Sequence, residues 1–232
     1  MPMTADESQR RDLATACRIL ALEGMGDFIW GHVSVRASES GTFWLKGAGL
    51  GLEEIGPDDL IRLDLDGNVL EGSRPRHLEW PIHAEVLRAR PDVQAVVHSH
   101  ALSTVAFGTT DANLEPICHE AIRWMPSPPR FTETSDLIDS PELGAAVATR
   151  LADGRGVFLR NHGVVVAAGD LRTTALLAVF LDRACRTQLQ VMATGLPAHP
   201  ASEADVASRR EKMNVPSAFD ALWAYFVRRL ER

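Results

Sequence analysis

The amino-acid sequence predicts an α/β protein with a full hydrophobic core. Two apolar patterns recur along it: stripes at helical spacing, and short apolar runs bounded by turn residues. The chain has 232 residues, enough for one large domain or two small ones, and we find no internal repeat and no clear boundary before residue 195. We therefore expect a single domain over residues 5–232, in which 195–232 form a C-terminal helical tail.

Each predicted element follows from one of these patterns. The first helix carries Leu13, Cys17 and Leu20 on one face and ends at Gly24 and Gly26. The expected helices are 5–24, 53–60, 79–90, 101–107, 141–151, 170–190 and 204–232. The expected strands are 33–36, 42–45, 61–65, 69–70, a run that ends at 98–100, 114–119, 157–160 and 164–168.

Composition and charge exclude several classes of protein. The formal net charge of −7 argues against a nucleic-acid-binding surface, which needs a basic face. No apolar stretch reaches the roughly 18 residues of a membrane span, and the N-terminus reads as polar rather than as a secretory leader. The three cysteines are far apart, so neither a disulfide framework nor a thiolate zinc site is indicated. We expect a cytoplasmic protein without nucleic-acid or membrane partners.

Two histidine motifs predict a metal site. The stretch 79–100, EWPIHAEVLRARPDVQAVVHSH, reads as a short helix followed by a buried strand that ends in His98-Ser99-His100. Since alternate side chains of a strand share a face, His98 and His100 project together and form two corners of a site. A third histidine, His162, follows the apolar run in GVFLRNHG, and Glu79 is placed to serve as a ligand or a general base.

Two further features near these motifs each allow two interpretations. His83 lies four residues after Glu79, on the same helix face, where it would either orient the carboxylate or simply pack. The glycine-rich loop 46–51, which begins at Lys46, either cradles an anion through its N–H groups or is a plain turn.

Taken together, these motifs resemble the class II aldolase/adducin family. The resemblance covers residues 13–189 and depends on GHVSVR at Gly31, the stretch 79–100 and the NHG at Asn161. It implies a single three-layer αβα domain with a largely antiparallel sheet, assembled as a homotetramer with active sites between subunits. It also implies one divalent ion per subunit, Zn²⁺ or Mn²⁺. By motif match the ligands would be His98, His100 and His162, and Glu79 would bind metal and move a proton.

The departures from the family's sugar-phosphate enzymes are informative. Those enzymes have asparagine where this chain has His32, and a serine pair where it has His77-Leu78. Because Leu78 cannot donate to a phosphate, their phosphate pocket is expected to be absent. His119 takes the place of their tyrosine proton donor, and an imidazole titrates near neutrality, so it can serve as acid or base. Tyr225 matches a second, C-terminal tyrosine.

The resemblance is therefore strongest to the decarboxylase branch, whose substrates are hydroxylated aromatic acids. We expect a metal-dependent carbon–carbon lyase, favouring a decarboxylase of a non-phosphorylated carboxylic acid that acts through a metal-stabilised enolate. The alternatives are a retro-aldolase acting on a hydroxy-keto acid or sugar, and a non-catalytic adducin-like scaffold. The catalytic candidates are Glu79, His119 and Tyr225. The substrate-binding candidates are His32, Ser34, Lys46, Gly47, Arg76, His77 and Arg130, of which Lys46, Arg76 and Arg130 would anchor the carboxylate.

Overall fold

An eight-stranded sheet runs through the centre of the protein in the computed structural model, which describes residues 4–232. The strands are β1 (His32–Arg36), β2 (Thr42–Lys46), β3 (Leu60–Asp64), β4 (Val69–Glu71), β5 (Ala95–Ser99), β6 (Arg130–Phe131), β7 (Gly156–Leu159) and β8 (Gly163–Ala168). Their order across the sheet is β4-β3-β2-β1-β5-β8-β7-β6. Neighbouring strands are antiparallel except for β6 and β7, which are parallel. The predicted largely antiparallel sheet is confirmed.

Helices cover both faces of this sheet. They are α1 (Ala5–Leu22), α2 (Trp80–Ala89), α3 (Leu102–Thr109), α4 (His119–Arg123), α5 (Pro141–Leu151), α6 (Leu171–Ala193), α7 (Glu203–Met213) and α8 (Pro216–Leu230). Helices α2 and α5 pack together on one face with one hydrophobic cluster. The other cluster includes side chains of α1, α3, α6 and α8 on the opposite face.

The central strands supply side chains to both clusters, which explains why they are apolar throughout. Along β8, Val164 and Val166 belong to the cluster beside α6, whereas Val165 faces the cluster of α2 and α5. The same alternation separates Val97 from Val96 in β5. A strand buried on both faces loses the polar–apolar alternation of a half-exposed strand. The fold is thus the predicted three-layer αβα arrangement.

The predicted strand at 114–119 is wrong. Its backbone amides bond to side chains instead of a neighbouring strand: the Leu114 N–H donates to Ser127 Oγ and the Glu115 N–H to Gln188 Oε1. Pro116 has no N–H to donate. The segment ends by starting α4, where Cys118 Sγ accepts from the Ala121 N–H.

Three smaller differences concern element boundaries. The helix expected over 53–60 is two single 3-10 turns, Leu52–Glu54 and Pro57–Asp59, because a residue before proline is biased away from helical backbone angles. The helical tail divides into α7 and α8 at Asn214. Strand β6 lies within the proline-rich stretch 123–134, where no strand was expected. Among the residues described, no helix is both long and apolar enough to span a bilayer.

Candidate metal centre

The three motif histidines meet because β5 and β8 are antiparallel neighbours. In such a pair the end of one strand lies beside the start of the other, and here Ser99 is paired with Val164. The His98-Ser99-His100 end of β5 therefore lies next to the turn that carries His162. Asn161 in that turn has φ of 60°, a left-handed conformation that asparagine tolerates better than most residues.

Gly163 permits the close approach of this turn to β5. A Cβ at this position would lie 2.5 Å from the Ser99 carbonyl oxygen and 2.8 Å from His100 Cδ2. Both distances are shorter than a carbon atom can adopt without displacing its neighbour. The glycine of the NHG motif is therefore needed for packing at the site.

Glu79 joins the histidines from the other side, at the start of α2. Its Oε2 lies 3.4 Å from His98 Nε2, and its Oε1 lies 3.4 Å from His162 Nε2. The Ile138 N–H donates to Oε1 at 2.8 Å and fixes the carboxylate. Burial raises the pKa of Glu79, but His98 and His162 outweigh it and hold the pKa well below its usual range. Glu79 is thus a carboxylate, and the four candidate ligand atoms lie within 4.8 Å of one another.

The hydrogen bonds of the ligand histidines fit a bound cation. His98 Nδ1 lies 3.2 Å from the Val164 carbonyl oxygen and His100 Nδ1 lies 2.7 Å from Asp27 Oδ2, so each Nδ1 donates to an acceptor. In the neutral rings both Nε2 atoms then carry lone pairs, and these face each other at 2.9 Å. The pKa of His100 is lowered to about 4, mainly by burial and secondly by the neighbouring His98, which keeps its ring neutral. Such converging lone pairs beside a carboxylate are the donor set of a divalent-metal site.

Two more observations support that reading. Both ring nitrogens of His162 are buried and have no hydrogen-bond partner among the residues described, although buried polar atoms normally have one. The Asp27 carboxylate that orients His100 has the position of the outer partner that metal-binding histidines usually carry. Asp27 lies 73 residues before His100, and no sequence pattern pointed to it.

A cavity of about 380 Å³ opens beside these ligands. Apolar side chains form much of its wall, among them Ile29, Trp30, Leu78 and Leu137, and several of these are strongly exposed in the single chain. The polar residues that line it are His32, Arg76, His77, Glu79, His100 and His162. The site thus combines a group of candidate metal ligands with a largely apolar surface.

Behind the cavity lie His83 and Ser34, both fully buried. His83 Nε2 lies 2.6 Å from His32 Nδ1, and His83 Nδ1 lies 2.6 Å from Ser34 Oγ. His83 therefore bonds to β1 and makes no hydrogen bond to Glu79, although both belong to the start of α2. Burial, followed by neighbouring histidines, lowers the pKa of His32 and of His83 well below the usual value.

Lys46 lies near the cavity but does not line it. Its side chain is fully buried, and Nζ donates to the Ile29 carbonyl oxygen at 3.0 Å and lies 3.4 Å from His77 Nε2. Burial lowers its pKa to about 8. The loop amides beside it are also occupied: the N–H of Gly47 donates to the Asp59 carbonyl oxygen, and that of Ala48 to the Pro75 carbonyl oxygen. These two amides therefore take part in packing, while Ala48 and Gly49 of the same loop line the cavity.

The remaining candidates divide between the cavity and other parts of the chain. Arg76 lines the cavity, stacks 5.0 Å from the Trp80 ring and donates to the Gly67 carbonyl oxygen. Arg130 is stacked on two phenylalanines and donates to backbone carbonyl oxygens, including that of Ala112 at 2.5 Å. Exposed His119 begins α4, and half-exposed Tyr225 lies on α8. None of these last three lines the cavity of its own chain.

With this geometry described, comparison with known proteins identifies the family. Residues 11–189 match the model for the class II aldolase and adducin N-terminal domain, and the chain belongs to that family. It is 33% identical over 214 residues to a 3,4-dihydroxyphthalate decarboxylase of Arthrobacter keyseri, covering 85% of this chain and 84% of that protein. It is also 33% identical over 202 residues to the decarboxylase NovR of Streptomyces niveus, covering 85% and 75%.

Solved structures match the fold. An L-fuculose 1-phosphate aldolase from Glaciozyma antarctica PI12 superposes with a TM-score of 0.86 at 23% identity, covering 100% of this chain and 93% of that one. An aldolase II superfamily protein from Pseudomonas syringae superposes with a TM-score of 0.87 at 24% identity, covering 99% of this chain and 95% of that one. The family and its decarboxylase relatives together support a carbon–carbon lyase.

We predict that Gly163→Ala disturbs the ligand cluster. The added Cβ would push the turn of His162 away from β5, and such overpacking costs about 1–3 kcal/mol of unfolding free energy. Urea unfolding followed by circular dichroism measures this loss. Gly169→Ala is the matched control, because a Cβ there meets nothing closer than 3.5 Å. Equal stability of the two variants would contradict the close approach.

We also predict a pH-dependent stability difference between the wild type and Lys46→Met. The folded pKa of about 8 lies below the ordinary 10.5, so between these pH values the unfolded chain binds more protons than the folded one. The unfolding free energy of the wild type should therefore rise relative to the variant from pH 8 to 10.5. Below pH 8 the offset should stay constant down to pH 6.5, the ordinary pKa of His77, which Lys46 helps to lower. Denaturant titrations across this range test it, with Lys212→Met as the exposed control. A pH-independent offset would show that burial does not lower the pKa of Lys46.

Proposed function

We propose that this protein is a divalent-metal-dependent decarboxylase of a non-phosphorylated, hydroxylated aromatic carboxylic acid. The observation that carries the proposal is the convergence of three imidazoles and Glu79 beside a largely apolar cavity, which Glu79, His100 and His162 line. Two decarboxylases at 33% identity support the reaction class, and one of them is named for a dihydroxylated aromatic dicarboxylate.

His98, His100, His162 and Glu79 would hold one divalent ion per subunit, Zn²⁺ or Mn²⁺. Bound there, the ion would act as a Lewis acid that polarises adjacent substrate oxygens and stabilises the negative charge that develops on them. Three neutral imidazoles and one carboxylate leave the ion with net positive charge. The lone pairs that face one another across the cluster are the structural support for this assignment.

The cavity wall favours an aromatic substrate over a sugar phosphate. Trp30 and Leu78 offer apolar surface for a ring, and Leu78 has no donor for a phosphate oxygen. Arg76, the guanidinium among the lining residues, would hold a carboxylate. His77 lies beside it and has a pKa lowered to about 3 by burial and then by Lys46, so it would bind as a neutral imidazole.

Glu79 is the proposed proton carrier. Its carboxylate, held by the Ile138 N–H, would take a proton from a substrate hydroxyl. The bond between the ring carbon and the carboxylate then breaks, carbon dioxide leaves, and the electron pair stays with the ring. Glu79 returns its proton to that carbon, and the product oxygen is later protonated from solvent.

Further groups would come from a neighbouring subunit. Because His119 and Tyr225 do not line the cavity of their own chain, a catalytic role for either requires the proposed homotetramer with sites between subunits. The exposed apolar residues around the cavity, Phe28, Trp30 and Leu78, are compatible with such an assembly. His119 is then a second candidate for the group that protonates carbon.

The first test is metal content per subunit, by plasma mass spectrometry of protein purified without added metal. We expect about one divalent ion per subunit in the wild type. In His98→Ala the metal affinity should be lower by more than about tenfold, since one ligand of four is removed. His199→Ala is the matched control because His199 lies in the segment between α6 and α7. Absence of metal from the wild type, even after zinc or manganese is added, would refute the proposed site and favour the scaffold alternative.

The second arm identifies the reaction in the metal-loaded protein. A panel of hydroxylated aromatic acids and hydroxy-keto acids is assayed in parallel for carbon dioxide and for aldehyde. Carbon dioxide from an aromatic acid, lost in His98→Ala and kept in His199→Ala, supports the proposal. Aldehyde without carbon dioxide would instead establish the retro-aldolase alternative.

A further inference from the structure

The buried row formed by Ser34, His83 and His32 ends at the cavity. Strand β1 carries His32 and Ser34 two residues apart, so both face α2, from which His83 reaches between them. The two hydrogen bonds of the row are each 2.6 Å long. Ser34 and His83 are fully buried, whereas His32 lines the cavity.

The direction of these hydrogen bonds follows from the Ser34 hydroxyl. Among the residues described, its hydrogen-bond partner is His83 alone. Were His83 Nδ1 the donor, the hydroxyl hydrogen would be buried without an acceptor, which is unfavourable. Ser34 therefore donates to His83 Nδ1. In a neutral His83 the hydrogen is then on Nε2, which donates to His32 Nδ1.

The position of the ring hydrogen in His32 follows from the same argument. With Nδ1 of His32 acting as an acceptor, its ring hydrogen must be on Nε2, for which no partner exists among the residues described. His32 is paired with His98 across β1 and β5, and the two ring centroids lie 4.9 Å apart. His32 lines the cavity, so its ring N–H, which no described residue accepts, lies beside the metal-ligand cluster.

We propose that Ser34 and His83 hold His32 in its Nε2–H tautomer, so that His32 donates a hydrogen bond to a carboxylate oxygen of the substrate. Ser34 and His83 are positioning residues in this scheme and need not touch the substrate. The identity of the substrate group rests on the proposed function, whereas the tautomer is a property of the protein alone. A ligand that presents an N–H group at this position would meet a donor and be disfavoured.

The tautomer is tested by nitrogen-15 NMR of protein labelled at histidine, with His32→Gln and His83→Gln used to assign the signals. We expect His32 to show a protonated Nε2 and an unprotonated Nδ1, and His83 the same pattern. Ser34→Ala should populate the Nδ1–H form of His32, whereas Ser34→Thr, which keeps a hydroxyl, should not. A wild-type His32 protonated on Nδ1, or a tautomer unaffected by Ser34→Ala, would overturn the proposal.

The substrate contact is tested by calorimetry on the zinc-loaded protein with a pair of probes. 2,3-Dihydroxybenzoate and catechol share the two chelating oxygens, but only the former has a carboxylate. Ser34→Ala should lower the affinity for 2,3-dihydroxybenzoate about tenfold and leave the affinity for catechol unchanged. The reason is that a hydrogen bond to a charged group is among the stronger ones. Ser127→Ala, which removes a hydroxyl away from the cavity, should change neither affinity.

The two proposals can fail separately. The NMR pattern does not depend on turnover, so it stands even when no decarboxylation is found. Equal weakening of both probes by Ser34→Ala would show a general structural defect and would refute the specific contact with the carboxylate. Decarboxylation that proceeds at the wild-type rate in Ser34→Ala, with a changed tautomer, would refute the role of His32 while leaving the reaction class intact.

Discussion

The antiparallel pairing of β5 with β8 is the constraint on which the site depends. It places the end of the HSH motif beside the turn of the NHG motif, although His98 and His162 are 64 positions apart in the chain. Both strands are buried on both faces, so their register is fixed by the two hydrophobic clusters as well as by backbone hydrogen bonds. A one-residue slip would turn His98 to the other face of the sheet and separate the ligands.

Helix α2 connects this pairing to the rest of the site. Its start supplies Glu79 to the ligand histidines, and one turn later it supplies His83 to β1. Because α2 also packs against α5 through apolar side chains, its position is set by the core and not by the polar contacts. The same docking therefore brings a carboxylate to the three histidines and His83 to His32.

Burial is the main electrostatic influence in this region. It lowers the pKa of His32, His77, His83 and His100, and so favours neutral imidazoles with defined donors and acceptors. Glu79 is the exception, because His98 and His162 outweigh the effect of burial and keep it ionised. Imidazoles around one carboxylate are a donor set that suits a divalent cation.

The sequence by itself determined the features that depend on local periodicity and motif. The two-residue repeat of a strand placed His98 and His100 on one face, and joint motif order identified the family, the antiparallel sheet and the grouping of Glu79 with three histidines. Local patterns failed where the backbone bonds to distant partners. The segment 114–119 is apolar enough for a strand, yet its amides are occupied by Ser127 and Gln188.

Only the tertiary structure decided which polar groups meet across the fold. Asp27 with His100, and His83 with His32, are separated by 73 and 51 positions, distances over which no spacing rule acts. The environment of Lys46 is also a tertiary feature. The sequence suggested it as a carboxylate anchor, but in the fold it is buried and donates to the Ile29 carbonyl oxygen. Such contacts arise from sheet register and helix docking. Both are set by the summed burial of apolar side chains throughout the core, so they cannot be read from any single stretch of the chain.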